Sequence, residues 1–230
     1  MIPLHDDNPT TITPVVTMAL IVGCVMIFLW QISLGPRGGQ IAVIGLGMIP
    51  ATLLQDAQLP PDLYLVPPAA TIFTSMFLHG GWMHLIGNML FLWIFGNNVE
   101  DSMGHLRFGV FYVLCGVAAV FAQALPDPAS QIPMIGASGA ISGVLGAYLL
   151  MFPRARVLVM IPIVFIMHLV RLPAVWVLGL WFAIQLLSEL LSPSGAGVAF
   201  RAHIGGFVAG LALIPVFKHR RVRLHLPFSS

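Results

Sequence analysis

Two polar side chains stand at the heads of apolar, membrane-length segments: Ser138, within Gly136-Ala137-Ser138-Gly139, and His203, followed by Gly206 and Gly210. A serine hydroxyl becomes a nucleophile when a neighbouring base takes its proton, and a neutral imidazole is the commonest base for that task. His84 and Asn88 add a second function. They are spaced i,i+4 in another apolar segment, so they share one helix face and can aim donors at charge developing on a carbonyl oxygen. Taken singly, each has a plainer explanation. Ser138 beside glycine could bond back to a helical carbonyl as a packing residue, and His84 with Asn88 could be glue between helices. His203 resists such a reading, because an ionisable side chain within a span is costly and marks a functional interior.

These residues need helices that cross a bilayer, and the composition supplies them. The chain has 230 residues, of which 58% are hydrophobic and 8% charged. Soluble domains carry about 25% charged residues, so this chain lacks the polarity to cover a water-facing surface. It reads as an integral membrane protein, with the lipid bilayer as partner and no basic surface for nucleic acid. Cys24 and Cys115 lie inside apolar runs, where a thiol behaves as a small hydrophobe, and no disulfide framework or metal-binding Cys pair is visible.

A spanning helix needs roughly 20 apolar residues. Six segments answer to this: about 14–34, 82–99, 106–125, 136–152, 174–191 and 202–218. The first follows an acidic N-terminus (residues 1–13) and is longer than the apolar core of a cleaved signal. A long first loop, 35–80, is broken by many glycines and prolines and is expected in the interface or against the bundle. Residues 157–170 form an apolar run too short to span, contain Pro162 and are bracketed by Arg154, Arg156 and Arg171. An interfacial or re-entrant segment before the fifth helix is expected there. The fold class is therefore all-α: a polytopic bundle of six helices, one membrane domain over 1–230 with a basic tail at 219–230.

Six spans place both termini on one side. Lys218, Arg220, Arg221 and Arg223 make that side cytoplasmic, and Arg107, Arg154, Arg156 and Arg171 join them there, against Arg37 and Arg201 outside. The expected location is a bacterial inner membrane. Spans two, four and six then all run from outside to inside, so His84, Asn88, Ser138 and His203 share one depth near the outer face. Small residues explain how the helices can approach. Gly139, Ser142, Gly143, Gly146 and Ala147 follow Ser138, while Gly206, Ala209 and Gly210 follow His203. The free N–H groups at the head of span four point to the same place.

His79 precedes His84 by five residues, off its helix face, and reads as a helix-entry hydrogen-bonder in a supporting part. His105, His219 and His225 fall in solvated loops or tail, His168 has no evident partner, and Glu100-Asp101 near Arg107 reads as an interfacial anchor. Other chemistries fit less well. There is no HExxH, no intramembrane aspartate pair and no internal repeat, so neither a metal nor a cofactor is expected.

With these residues in view, the chain resembles the rhomboid family of intramembrane serine proteases. The matching pieces are His84-x-x-x-Asn88, Gly136-Ala137-Ser138-Gly139, Glu100 after Gly96, and Ala202-His203-x-x-Gly206-x-x-x-Gly210, within a core of about 74–213. The resemblance implies a six-helix core, a Ser138–His203 dyad without a third acid, and an oxyanion hole from His84, Asn88 and the Ser138 N–H. It also implies cleavage of transmembrane protein substrates near the outer face, with span five and nearby loops controlling entry; Trp176, Trp181 and Phe182 are the candidates on span five. Two departures stand out. Ala70-Thr71 occupy the place of a Trp-Arg pair in the first loop, and Ser142 replaces an aromatic that stacks under the base in some members. His203 must be oriented by something else. The alternative is a non-catalytic relative that binds transmembrane segments, which would be expected to lack the serine or the histidine.

Overall fold

A computed structural model describes residues 1–163, 166–191 and 199–225. The middle of the expected 157–170 segment and the end of the 219–230 tail therefore lie partly outside the described residues. All six expected spans are helices: α1 (Val15–Ser33), α5 (Trp82–Met103), α6 (His105–Ala124), α7 (Ser138–Met151), α8 (Ala174–Leu191) and α9 (Phe200–Phe217). Four of them, α1, α6, α8 and α9, are long and apolar enough to cross a membrane. α7 is shorter. Its 14 residues rise about 21 Å, less than a hydrocarbon core, and it is enclosed by its neighbours instead of facing lipid. Every residue from Gly139 to Leu149 is buried, as expected of a helix that is apolar all round.

The outward faces carry large apolar side chains. Met18, Val22 and Met26 on α1, and Trp176, Leu180, Ile184, Leu187 and Leu191 on α8, are all exposed. Such contiguous apolar surface suits lipid and not water.

The first loop lies against the bundle, as expected, and contains α2 (Gly35–Leu46), α3 (Pro50–Leu54), α4 (Pro68–Thr74) and a 3-10 turn (Ser75–Phe77). Met48 is fully buried and packs in a cluster with Val120 and Ala124 of α6. Its backbone exchanges two hydrogen bonds with Met134 (3.0 and 2.8 Å), and Gly136 N–H donates to the Ser75 carbonyl at 2.9 Å. Thr74 Oγ1 donates to the Leu46 carbonyl at 2.6 Å. Backbone pairing thus anchors the loop without the Trp-Arg pair, and it clamps the segment leading into Ser138.

The all-helical expectation holds for the bundle and needs one amendment. The 157–170 run is no membrane re-entry but a hairpin of β2 (Arg156–Ile163) and β3 (Ile166–Pro173), with β1 (Ile2–Asp6) antiparallel to β2 at its other edge. The physical signal is alternation with β-branched enrichment: Val157 and Val159 are fully buried, while Leu158 between them and Met160 after them are not. The N-terminal residues are therefore structured, and β3 returns the chain alongside β2 to the start of α8.

Asp6 anchors the sheet to the bundle by accepting a hydrogen bond from Tyr148 Oη of α7 at 2.6 Å. Burial pushes its carboxyl above the ordinary 3.8, against the opposing pull of the Tyr148 hydroxyl and of His5. A folded-state value raised above the unfolded one means a contribution complete below the unfolded value and lost as pH rises through the folded one. The thermal midpoint of wild type should therefore fall, relative to Asp6→Asn, as pH rises above 3.8. Parallel midpoint-against-pH curves for the two proteins would sink this reading.

At the same end, the expected interfacial anchor proves to be a cap. The fully buried Glu100 accepts from Val16 N (2.9 Å), Thr17 N (2.8 Å) and Thr17 Oγ1 (2.7 Å), closing the N-terminus of α1. Its second oxygen contact comes from His105 Nδ1 at 2.6 Å, so His105 is not merely solvated. Asp101 accepts from Thr11 and Ile12 in the chain leading to α1.

Candidate active site

Ser138 is the first residue of α7 and His203 lies one turn into α9. Both sit where α7 and α9 touch through backbone. A Cβ added at Gly206 would meet the Gly139 carbonyl oxygen, one at Gly210 the Gly143 carbonyl, and one at Gly146 the Phe207 carbonyl. Gly139 itself faces Ala119 of α6, at 2.5 Å from a Cβ placed there. Small residues therefore bring two helices to the limit of approach, and the heads of both come with them.

At those heads, His203 Nε2 and Ser138 Oγ are 2.7 Å apart. Ser138 does not bond back to a helical carbonyl; Ser142 does so, donating to the Ser138 carbonyl at 2.6 Å. The packing explanation for Ser138 is thus taken over by its neighbour. Ser138 and His203 are both partly exposed, so water has a route to them.

His84 and Asn88 approach from α5. Gly136 has φ +123°, and a Cβ there would fall 2.8 Å from His84 Nε2 and 3.6 Å from Ser138 Oγ. Only glycine suits that backbone, and its bare face lets the imidazole edge close on the serine. Gly80 N–H donates to His84 Nδ1 at 3.3 Å. With Nδ1 accepting, the proton of a neutral ring sits on Nε2, the nitrogen that lies against Gly136. Asn88 is 8% exposed, and its Nδ2 is buried with no hydrogen-bond partner. A buried orphan donor is costly unless something arrives to accept from it. The first turn of α7 contributes the N–H groups of Ser138, Gly139 and Ala140, which precede the first bond of the ladder, Ile141 N to the Ala137 carbonyl.

His79 is buried beside this group. Its N–H donates to Gln31 Oε1 at 3.0 Å, its carbonyl accepts from Gln31 Nε2, and its ring meets the His84 ring edge-on at 5.1 Å. It ties the entry of α5 to α1.

Sequence reasoning missed two glutamines. Gln185 Oε1 of α8 lies 2.8 Å from His203 Nδ1, and Gln123 Oε1 of α6 accepts from Ala202 N–H at 3.3 Å. Gln185 had a legible signal, an amide alone amid apolar residues of a span, but it lies near the end of α8 and not at a helix head. The Trp181 ring stands 6.0 Å from the His203 ring, and Phe182 stacks on Phe207 at 4.3 Å. Of the three aromatics marked on span five, only Trp176 is turned outward.

A sequence model of the rhomboid domain matches residues 68–220, two thirds of the chain. The chain belongs to the rhomboid family. Among relatives, this rhomboid is 31% identical over 182 residues to Rhomboid protein 1, mitochondrial, of Saccharomyces cerevisiae, covering 76% of this chain and 44% of the relative. It is 37% identical over 78 residues to RHOMBOID-like protein 5 of Arabidopsis thaliana (34% of this chain, 25% of the relative). Over 142 residues it is 33% identical to Rhomboid-like protease 5 of Toxoplasma gondii (60% and 15%). The chain spans less than half the length of each of these relatives. Two of the three names carry no word for an activity, so membership gives this rhomboid its family and its helical membrane fold, and the chemistry rests on the site.

Proposed function

We propose that this rhomboid is an intramembrane serine endopeptidase that cleaves transmembrane segments of other proteins near the outer face of the bilayer. The observation that carries the reading is the 2.7 Å contact between Ser138 Oγ and His203 Nε2; the unpartnered Nδ2 of Asn88, one turn after His84 on α5, supports it. Ser138 Oγ attacks the scissile carbonyl carbon while its proton passes to His203 Nε2. The carbonyl oxygen, now an oxyanion, accepts from the Ser138 N–H, His84 Nε2 and Asn88 Nδ2. The C–N bond breaks, the leaving amine takes the proton from His203, and an acyl-enzyme ester remains. Water then attacks that ester, giving its proton to His203 and returning Ser138 to the hydroxyl form. A small cavity of about 20 Å³, lined in part by Met134, Gly136, Ser138 and Ala202, lies beside Ser138 and has room for about one water molecule. In this reading both termini are cytoplasmic and the site opens outward.

The test is labelling of purified protein in detergent with a serine-directed fluorophosphonate. Wild type should label, whereas a relative that only binds transmembrane segments would not. For the oxyanion donors, Asn88→Ala should lower kcat on a transmembrane peptide by about 10²–10³-fold with KM little changed. An unchanged kcat would remove Asn88 from the oxyanion hole.

A further inference from the structure

Among the described residues the imidazole of this base meets Trp181 only at a tilt, 6.0 Å away, and no carboxylate bonds it, yet its ring is held from both ends. Nε2 faces Ser138 at 2.7 Å and Nδ1 faces Gln185 Oε1 at 2.8 Å. Gln185 is 8% exposed, the most buried polar side chain of α8. The acidic side chain one turn further on, Glu189, is engaged by Arg201 Nε and does not serve the imidazole. Trp181, Gln185 and Glu189 are spaced i,i+4,i+8 on one stripe of α8 and meet the head of α9 at His203, His203 and Arg201 in turn.

We propose that Gln185 is a positioning residue for the dyad: its amide oxygen accepts the Nδ1 proton of His203 and keeps Nε2 free to take the Ser138 proton. The inference rests on the reading of Ser138 and His203 as nucleophile and base. The logic is one of proton count. An amide oxygen carries no proton, so the proton in the Gln185–His203 contact belongs to Nδ1. A neutral imidazole has only one, and Nε2 is therefore the lone-pair nitrogen. Were the tautomer reversed, Nε2–H would face the hydroxyl and no base would be present. When His203 accepts the serine proton, Nδ1–H remains bonded to Gln185 and Nε2–H is directed at the leaving amine, so the ring need not turn. A carboxylate would fix the same tautomer, but a charge this deep in a span is costly, and the neutral amide avoids that cost.

The measurement uses the full chain in detergent micelles with a transmembrane peptide substrate. Gln185→Leu should lower kcat by about 10–100-fold, the loss typical when the group orienting a functional histidine is removed, with KM unchanged. Gln185→Glu, which keeps an acceptor at the same reach, should retain most of kcat. Nitrogen-15 spectra of histidine-labelled wild type, with His203 assigned from a His203→Gln variant, should show the Nδ1–H tautomer, and Gln185→Leu should shift it towards Nε2–H. An unchanged kcat in a folded Gln185→Leu, an effect confined to KM, or an Nε2–H tautomer in wild type would each overturn the proposal. The wild-type spectrum needs no variant of Gln185 and so decides the matter even if substitutions there fail to fold. Absence of fluorophosphonate labelling in wild type would count against the nucleophile reading instead, and the tautomer remains measurable in that case.

Discussion

Replacing Ser138 by alanine should abolish cleavage of a transmembrane substrate, and replacing His203 by alanine should do the same. The expected loss is at least about 10⁴-fold for each, the scale on which nucleophile and base operate in serine hydrolases. The double variant should be no worse than either single one, because two residues that act as a unit lose their contribution together. Ser138→Ala removes one oxygen whose partner is His203 Nε2, so the fold should persist and the thermal midpoint should stay close to that of wild type. Fluorophosphonate labelling reads the same event without a substrate. Wild type should label, and Ser138→Ala and His203→Ala should not. Labelling that survives Ser138→Ala would place the nucleophile elsewhere, and full activity in His203→Ala would remove the base.

Gly206→Val produces the second large effect, and it acts through the backbone. A Cβ at Gly206 runs into the Gly139 carbonyl oxygen, and no side chain is there to rotate away. The helices must separate, and the separation falls at the level of the reacting pair, since Gly139 adjoins Ser138 and Gly206 is one turn from His203. Forcing extra groups into a packed interior costs about 1–3 kcal/mol where side chains can yield. Two backbones cannot, so Gly206→Val should leave little monodisperse protein. Gly206→Ala is the measurable variant. A displacement of about 1 Å between catalytic groups costs about 10²-fold in rate, so its kcat should fall on that scale along with its thermal midpoint. Gly179→Ala is the control, because a Cβ there meets nothing within 4 Å; it should leave both quantities unchanged. If Gly206→Ala behaved like Gly179→Ala, close helix approach would not be what holds the dyad.

The two experiments divide the site as the chain itself divides it. Chemistry resides in a few polar atoms, and the geometry that makes them chemical resides in glycines that carry no functional group. The orphaned Asn88 amide and the imidazole edge pressed against Gly136 belong to the first class. The Met48–Met134 pairing, which fixes the approach to Ser138, belongs to the second.

Much of this was legible along the chain. Spans are set by local hydropathy, and helix heads by where polarity resumes, so the depths of Ser138, His203, His84 and Asn88 followed once the spans were counted. The glycine stripes were legible too, because i,i+4 spacing places Gly206 and Gly210 on one face without reference to any partner. Where the sequence reading stopped short, the missing quantity was lateral. The alternation at Val157 and Val159 is a strand signal, but its partner is β1, more than 150 residues earlier in the chain, and an apolar run next to a bilayer reads first as membrane. Glu100 reads from the sequence as an interfacial anchor, yet its partners Val16 and Thr17 are backbone and hydroxyl groups of another helix, with nothing in their own sequence to advertise them.

By itself, then, the sequence determined a helical membrane bundle and singled out four polar residues near the heads of three of its helices. Hydropathy and helical period are local quantities that each segment carries alone. Only the tertiary structure decided which nitrogen of His203 faces Ser138 and what holds the other. That depends on the rotation of α8 about its own axis, which packing against α9 sets, and no property of α8 alone contains it.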